Sequence, residues 1–245
     1  MKKWFILKPL RRTKEEMQHP AKFPESLVSF FINNFTCEND NILDPMAGTG
    51  TVLLEALLNK RNGYGVELSS LFADIAINRC SKVANTQTYK IENTDARNIS
   101  SLSFPPMDYV LTSPPYWDML NRKGAGNQKS RREKGLKTTY SESLYDLGNI
   151  SDYDLFLNEL YAIYRDVIGI LKPGKYFTVI VKNIKKQGKN YPLAWDLAEK
   201  LQQEVILQPT FFWCQDDISI APYGFGNTWV SNTFHHYCLN FKKPK

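Results

Sequence analysis

Apolar positions along this chain fall into two rhythms, one suited to helices and the other to short buried strands. From Phe23 onward, Leu27, Val28, Phe30, Phe31 and Phe35 recur at helical spacing toward Cys37, and Pro24 can open that helix at its first turn. Asn41-Ile42-Leu43-Asp44 then reads as a buried strand, Pro45-Met46-Ala47-Gly48-Thr49-Gly50 as a glycine-rich turn, and Thr51 to Lys60 as a helix. Asn62-Gly63 turns the chain into a second strand, Tyr64 to Glu67, after which Ser69 can cap a helix running through Ala84. Gln87 to Ile91 is a third strand and Met107 to Thr112 a fourth. Leu155, Phe156, Leu160, Ile163, Tyr164 and Val167 mark a helix that stops near Leu171-Lys172-Pro173-Gly174. Tyr176 to Val181 is a fifth strand, Lys185 to Lys189 a basic turn, and Pro192 to Gln203 a helix. Val205 to Trp213 is a sixth strand, in which Pro209 predicts an edge or a bulge, and Phe234 to Phe241 alternates as a last one. A short strand at Trp4 to Leu7 stands apart, and there is no internal repeat.

Strand and helix alternate through most of this pattern, which predicts an α/β fold: a parallel sheet covered on both faces, with ligands at the carboxyl ends of its strands. No helix separates the last two strands, so the final one can pair antiparallel with the sixth. Asp44, Glu67 and Asp95 each follow a strand, so three acids reach one edge of the sheet. Any one of them alone reads as a cap or a solvated turn; three in succession point to a shared ligand. Gly48 and Gly50 let the backbone turn sharply before a helix start that offers free amides, and Glu67 lies about twenty residues on, where such folds hold ribose hydroxyls. The G-x-G-x-x-G dinucleotide pattern is absent, because Leu53 occupies its last place.

Composition bounds the class. At 245 residues, 42% hydrophobic and 23% charged, the chain fits one globular domain over 1–245. The start, Met1 to Pro9, is too short in apolar residues for a signal peptide and no later stretch is long enough to span a bilayer, so a cytoplasmic protein is expected. Cys37, Cys80, Cys214 and Cys238 lack any C-x-x-C pair and read as reduced, packing thiols. His235, His236 and Cys238 could be considered for a metal, but alternation puts His236 and Cys238 on one strand face and His235 on the other, so packing is expected and no metal.

Charge placement changes the picture more than its size. Between Asn121 and Lys137, Arg122, Lys123, Lys129, Arg131, Arg132, Lys134 and Lys137 stand against only Glu133, a surplus that equals the chain's net charge of +6. They lie in a loop over 117–151 that is too long for an ordinary connection and carries Gly124 and Gly126 for flexibility. A solvated surface would account for the run; placed after a base-binding corner, it suits phosphate neutralisation, and with Trp117 it forms the candidate DNA-binding set. The loop near Tyr223 to Trp229 is a second candidate for base reading.

That corner is Ser113-Pro114-Pro115-Tyr116, at the end of the fourth strand. Two prolines hold the backbone extended, remove two amide donors and leave carbonyls to accept from a ligand, while the tyrosine offers a ring on which a base can stack. Thr112 to Tyr116 resembles the catalytic motif of the S-adenosylmethionine-dependent DNA amino-methyltransferases, Leu43 to Thr51 their cofactor motif, and His19-Pro20-Ala21-Lys22-Phe23-Pro24 the segment that closes over the methionine end. The likeness is close over the first half of the chain and rests on element order over the second.

The resemblance implies a Rossmann-like class I methyltransferase fold, with a mostly parallel seven-stranded sheet and an antiparallel last strand. It also implies a cofactor, S-adenosyl-L-methionine, held by Lys22, Phe23, Pro24, Asp44, Pro45, Ala47, Gly48, Thr49, Gly50, Thr51, Glu67, Leu68, Asp95 and Ala96. Within that set Glu67 would take the ribose, Asp95 the adenine amine and Asp44 the methionine end. Ser113 at the head of the motif is similar to the cytosine-N4 subgroup, which implies a flipped cytosine in DNA as substrate and Ser113, Pro114, Pro115 and Tyr116 as its catalytic set. Adenine N6, an RNA or protein amide, and a non-catalytic cofactor- or DNA-binding subunit remain as alternatives. Carbon-5 methylation is argued against, since it needs a cysteine nucleophile that typically follows a proline, and none of the four cysteines does. A second copy of the chain and a cognate restriction endonuclease are the protein partners this reading allows.

Overall fold

The computed structural model describes residues 3–20, 22–118, 143, 145–215 and 233–245. Eleven strands and five α-helices lie within them: β1 Trp4–Ile6, α1 Glu25–Phe35, β2 Asn41–Asp44, α2 Thr51–Leu58, β3 Asn62–Val66, α3 Ser70–Ser81, β4 Tyr89–Glu92, β5 Met107–Thr112, α4 Tyr153–Ile170, β6 Leu171–Val181, β7 Ile184–Lys186, β8 Lys189–Tyr191, α5 Leu193–Leu201, β9 Ile206–Leu207, β10 Phe211–Cys214 and β11 His235–Lys242. The main sheet runs β1-β10-β11-β6-β5-β2-β3-β4, with β9 added beside β11. The pairs β2–β3, β2–β5, β3–β4 and β5–β6 are parallel, and β11 is antiparallel to both β6 and β10. The seven expected strands are therefore all present, in a Rossmann-like order with its reversed last strand.

Alternation along the strands sorts the core into two layers. Ile42, Tyr109 and Leu111 pack with α1 and α2 on one face, while Leu43, Val110 and Phe177 pack with α4 and α5 on the other. Helix α4 buries Phe156, Leu160, Ile163, Tyr164 and Val167 as its 3.6-residue rhythm requires, and the Asp152 carboxylate caps it by accepting from Leu155 N at 2.7 Å. Ser69 does hold the capping position of α3, but its side chain makes no capping bond; its amide donates instead to Glu67.

Three details depart from expectation. The sixth strand is broken around Pro209, which has no amide to donate, so β9 and β10 make separate pairings with β11. β10 is no edge either, because β1 lies parallel beside it through Trp4↔Phe212 and Ile6↔Cys214. The basic turn at 185–189 is a β-hairpin, β7–β8, turned at Gln187 and Gly188 with φ of 50° and 77°.

Gly50, the last residue before α2, shows why the glycine turn cannot be substituted. Its φ is +77°, and a Cβ there would lie 2.7 Å from Ala76 Cβ and 3.1 Å from Ala76 Cα in α3. Gly50→Ala should therefore cost about 1–3 kcal/mol through strain and overpacking together. Urea unfolding of the two proteins checks this, and an unchanged midpoint would contradict the close helix approach.

Candidate functional site

Because β2, β3 and β5 run parallel, their carboxyl ends open on one side of the sheet, where a cavity of about 390 Å³ lies. That volume is in the range of small-molecule sites, ~300–1,000 Å³. Its walls include the three acids Asp44, Glu67 and Asp95, the turn residues Pro45, Ala47, Gly48, Thr49 and Thr51, and all four residues of the Ser113-Pro114-Pro115-Tyr116 corner. Lys22, Phe23, Leu68 and Ala96 line it too. The fold thus brings the expected cofactor set and the expected catalytic set into one space. Two members stand outside it: Pro24 is buried at the start of α1, and Gly50 packs on Ala76.

Each acid is held differently. Asp44 is 1% exposed and accepts from Thr112 Oγ1 at 2.8 Å and from Met46 N at 3.0 Å. Burial pushes its carboxyl up to about 7, against the pull of those two donors. Glu67 accepts from Gly48 N at 2.7 Å and from Ser69 N at 2.8 Å, and burial raises it to about 7 as well. Among the described residues neither Asp44 nor Glu67 bonds a cationic side chain; their donors there are a hydroxyl and three amides. Asp95, by contrast, pairs with Arg97 at 2.8 Å, and Arg97 reaches on to Glu159 at 2.7 Å.

Residues ahead of α1 close the cavity from outside, with Pro9, Arg12, His19 and Pro20 in its wall. A buried ion network fixes this strap. Lys22 Nζ lies 3.0 Å from Glu16 and 2.5 Å from Glu25, Arg79 lies 2.8 Å from Glu16, and Leu10 N donates to Glu25 at 3.0 Å. Burial opposes ionisation of Glu16 and Glu25, but these donors outweigh it and hold both carboxyls below their ordinary value. Lys22 therefore reaches the cavity with its ammonium already engaged by two carboxylates.

At the corner, Ser113 Oγ lies 3.3 Å from the Tyr116 hydroxyl, so the two side chains orient each other. Burial raises the Tyr116 hydroxyl well above the ordinary phenol value, which keeps it protonated. Trp117 departs from expectation. It turns inward at φ +50°, is 3% exposed and packs on Tyr153 and Tyr191, so its ring is core and is not available to DNA. The candidate contacts Arg122, Lys123, Lys129, Arg131, Arg132, Lys134 and Lys137, and the loop from Tyr223 to Trp229, lie outside the described residues.

Several wall residues escaped the sequence reading. Asp146 and Leu147, from a short 3₁₀ turn just ahead of α4, bring the far end of the 117–151 loop back to the cavity. Trp213 and His236 face each other across β10 and β11, stacked at 4.2 Å and 19°, with His236 5.9 Å from the Tyr116 ring. Burial lowers His236 to about 3, so its imidazole is neutral. The alternation that paired His236 with Cys238 on one face was the available signal, and both are buried. Nothing in the spacing tied that face to the corner.

Comparison with known proteins places these features among relatives. Residues 2–78 match the family model described as DNA methylase. The chain is 44% identical over 62 residues to the orphan methyltransferase M.BamHII of Bacillus amyloliquefaciens, covering 25% of this chain and 23% of that one. It is 32% identical over 123 residues to the type II methyltransferase M.BglII of Bacillus subtilis, covering 50% and 32%. The matched segments thus span about a quarter to a third of those relatives. In fold, the chain resembles TrmN of Thermus thermophilus, with a TM-score of 0.57 at 14% identity over 94% of this chain and 52% of that one. It also resembles a Streptococcus mutans chain solved in complex with SAH, with a TM-score of 0.51 at 10% identity over 91% and 99%.

The Thr112–Asp44 bond makes a test with a definite sign. Asp44 titrates near 7 when folded, above its unfolded value of about 4, so its proton favours the fold at low pH and that contribution is lost as pH rises through about 7. Thr112→Val removes a donor that favours the charged form and should raise the folded value further. Its cost, about 1–3 kcal/mol, should be larger at pH 8 than at pH 6 in urea unfolding. An equal loss at both values would mean that Asp44 does not need the hydroxyl.

Proposed function

We propose that this relative of the S-adenosylmethionine-dependent DNA amino-methyltransferases methylates an exocyclic amine of a base in DNA, and that the amine is cytosine N4. One observation carries the reading: a single cavity is walled both by the three strand-end acids and by the Ser-Pro-Pro-Tyr corner, with Asp44 joined to the corner's strand through Thr112. A methyl donor and an acceptor base can therefore meet without a second site.

The wall fits a cationic donor. Asp44 is buried and Glu67 half-buried, and among the described residues both are satisfied by neutral donors, so neither has a counter-ion there. S-adenosylmethionine supplies a positively charged sulfonium carrying an activated methyl group. Glu67 keeps lone pairs free beyond its two amide bonds and is the residue for the ribose hydroxyls; Asp95, oriented by Arg97, is the residue for the adenine amine. Leu68, Ala96, Phe23 and Thr49 also line the cavity; Leu68 and Ala96 would flank the adenine ring, and Phe23 and Thr49 would face the amino-acid end.

The corner acts on the base. An exocyclic amine is a weak nucleophile because its lone pair is delocalised into the ring. Ser113 Oγ, oriented by the Tyr116 hydroxyl, and the Pro114 carbonyl accept from the amine hydrogens and direct the lone pair outward; alignment then supplies much of the acceleration. Tyr116 stacks on the base, and in a duplex the base must first leave the helix at a cost of about a few kcal/mol. Ser113 holds and orients; it is no base, and the proton departs after transfer. We assign the loop over 117–151 to the DNA backbone within a single domain, with its cations and not Trp117 as the contacts. The type II names of the curated relatives support a role beside a restriction endonuclease.

Two outcomes are expected. Ser113→Ala should lower kcat for methyl transfer to DNA by about 10²-fold, by the usual loss of one orienting group, while S-adenosylmethionine binding by calorimetry stays unchanged. Equal losses in both would make Ser113 a cofactor residue. Further, the preference for S-adenosylmethionine over its neutral thioether product should grow from pH 6 to pH 8, as Asp44 and Glu67, both near 7, become ionised. A constant ratio would remove these acids from the cofactor site.

A further inference from the structure

The hairpin β7–β8 has no role in the cofactor cavity, yet it is built onto the corner. Lys186 Nζ sits 3.8 Å above the Trp117 ring and 2.5 Å from Asp118, the two residues that follow Tyr116. Trp117 in turn packs on Tyr191 at 4.8 Å and Tyr153 at 5.3 Å. By the register Ile184↔Tyr191 and Lys186↔Lys189, these four side chains share one hairpin face, and Lys185 with Asn190 takes the other. The inner face is thus a fixed anchor beside the corner. The outer face carries Lys185, while Lys189 lies on the inner face at its exposed tip, with its ammonium 4.9 Å over the Tyr191 ring; among the described residues neither forms an ion pair.

Two further observations give this hairpin a ligand. From Val167 to Trp195 the sequence contains no Asp or Glu, so nothing in the segment offsets its cations. Lys182 directly follows β6, two residues ahead of the hairpin, and is half-buried, and this partial burial lowers its ammonium below the ordinary lysine value. Among the described residues it has no carboxylate partner. A desolvated cation without a counter-ion is costly, and the cost falls when an anion arrives.

We infer that the β7–β8 hairpin, with Lys182 at its base and Lys185 and Lys189 toward its tip, is a docking site for the phosphate backbone of duplex DNA next to the base held at the corner. The inference rests on the DNA-methyltransferase reading and adds to it a second point of attachment, separate from the 117–151 loop. Lys182 meets the phosphate nearest the displaced nucleotide; Lys185 and Lys189 reach phosphates farther along the same strand. Lys186 remains structural. Because all three cations meet phosphates, they hold the duplex in place and carry no base preference.

The test is binding of a 30-base-pair duplex to the full chain, followed by fluorescence anisotropy across a salt series. Neutralising both residues in Lys185→Gln/Lys189→Gln should reduce the slope of log affinity against log salt by about 1.8, at ~0.9 for each phosphate no longer neutralised, on target and random duplexes alike. Lys182→Met should reduce it by about 0.9. S-adenosylmethionine affinity should not change in either variant. Lys60→Gln, just ahead of β3 at the amino ends of the strands and paired with Glu38, should leave the slope unaltered. Wild-type binding with unchanged slopes in the hairpin variants would overturn the docking site and leave the methyltransferase reading standing. Failure of the wild-type chain to bind DNA would overturn both.

Discussion

The hydrogen bond between Thr112 and Asp44 ties the two halves of the site together. Thr112 ends β5 and leads into Ser113; Asp44 ends β2 and leads into the glycine turn. The strands pair in register through Ile42↔Tyr109 and Leu43↔Val110, so their ends must emerge side by side. The bond converts that adjacency into a fixed distance between the corner proposed to hold a base and the turn proposed to hold a cofactor. Both partners are buried, so the bond meets little competition from water, and losing it would leave the Asp44 carboxylate with the Met46 amide alone among the donors described for it.

Buried charge is handled in two opposite ways around the same cavity. Glu16, Glu25, Lys22 and Arg79 compensate each other and pin the strap of residues ahead of α1. Asp44 and Glu67 have only neutral donors among the described residues, and burial moves both toward neutral pH. The first arrangement belongs to structure. The second leaves a field that a positively charged ligand can satisfy, which is why these two acids bear more weight in the functional reading than Asp95 with its Arg97 partner. The same contrast runs through the cations: Lys186 is locked over Trp117, whereas Lys182, Lys185 and Lys189 meet no carboxylate among the described residues.

The sequence made the strand-and-helix order legible because its signals are local. Alternating apolar runs ended by acids marked the strands, and Pro24, Gly48 and Gly50 marked where helices begin. What stayed hidden depends on packing between distant segments. Trp117 looked like an exposed aromatic beside a basic loop, but Tyr153 and Tyr191, 36 and 74 residues later, draw it into the core. Arg97 gave no motif, although it braces Asp95 against Glu159. The hairpin read as a basic turn because three-residue strands are too short to show a period. Asp146, Trp213 and His236 reach the cavity only through the return of the long loop and the pairing of β10 with β11.

The central claim is that one cavity presents an activated methyl group to a base amine oriented by Ser113. Nucleoside mass spectrometry on DNA from a methylation-free host expressing this chain tests it most directly, with the Ser113→Ala chain as control. The account predicts N4-methylcytosine with the intact chain and a large drop with the variant. N6-methyladenine would move the acceptor to the other amine, and unmodified DNA beside methylated RNA would contradict the account.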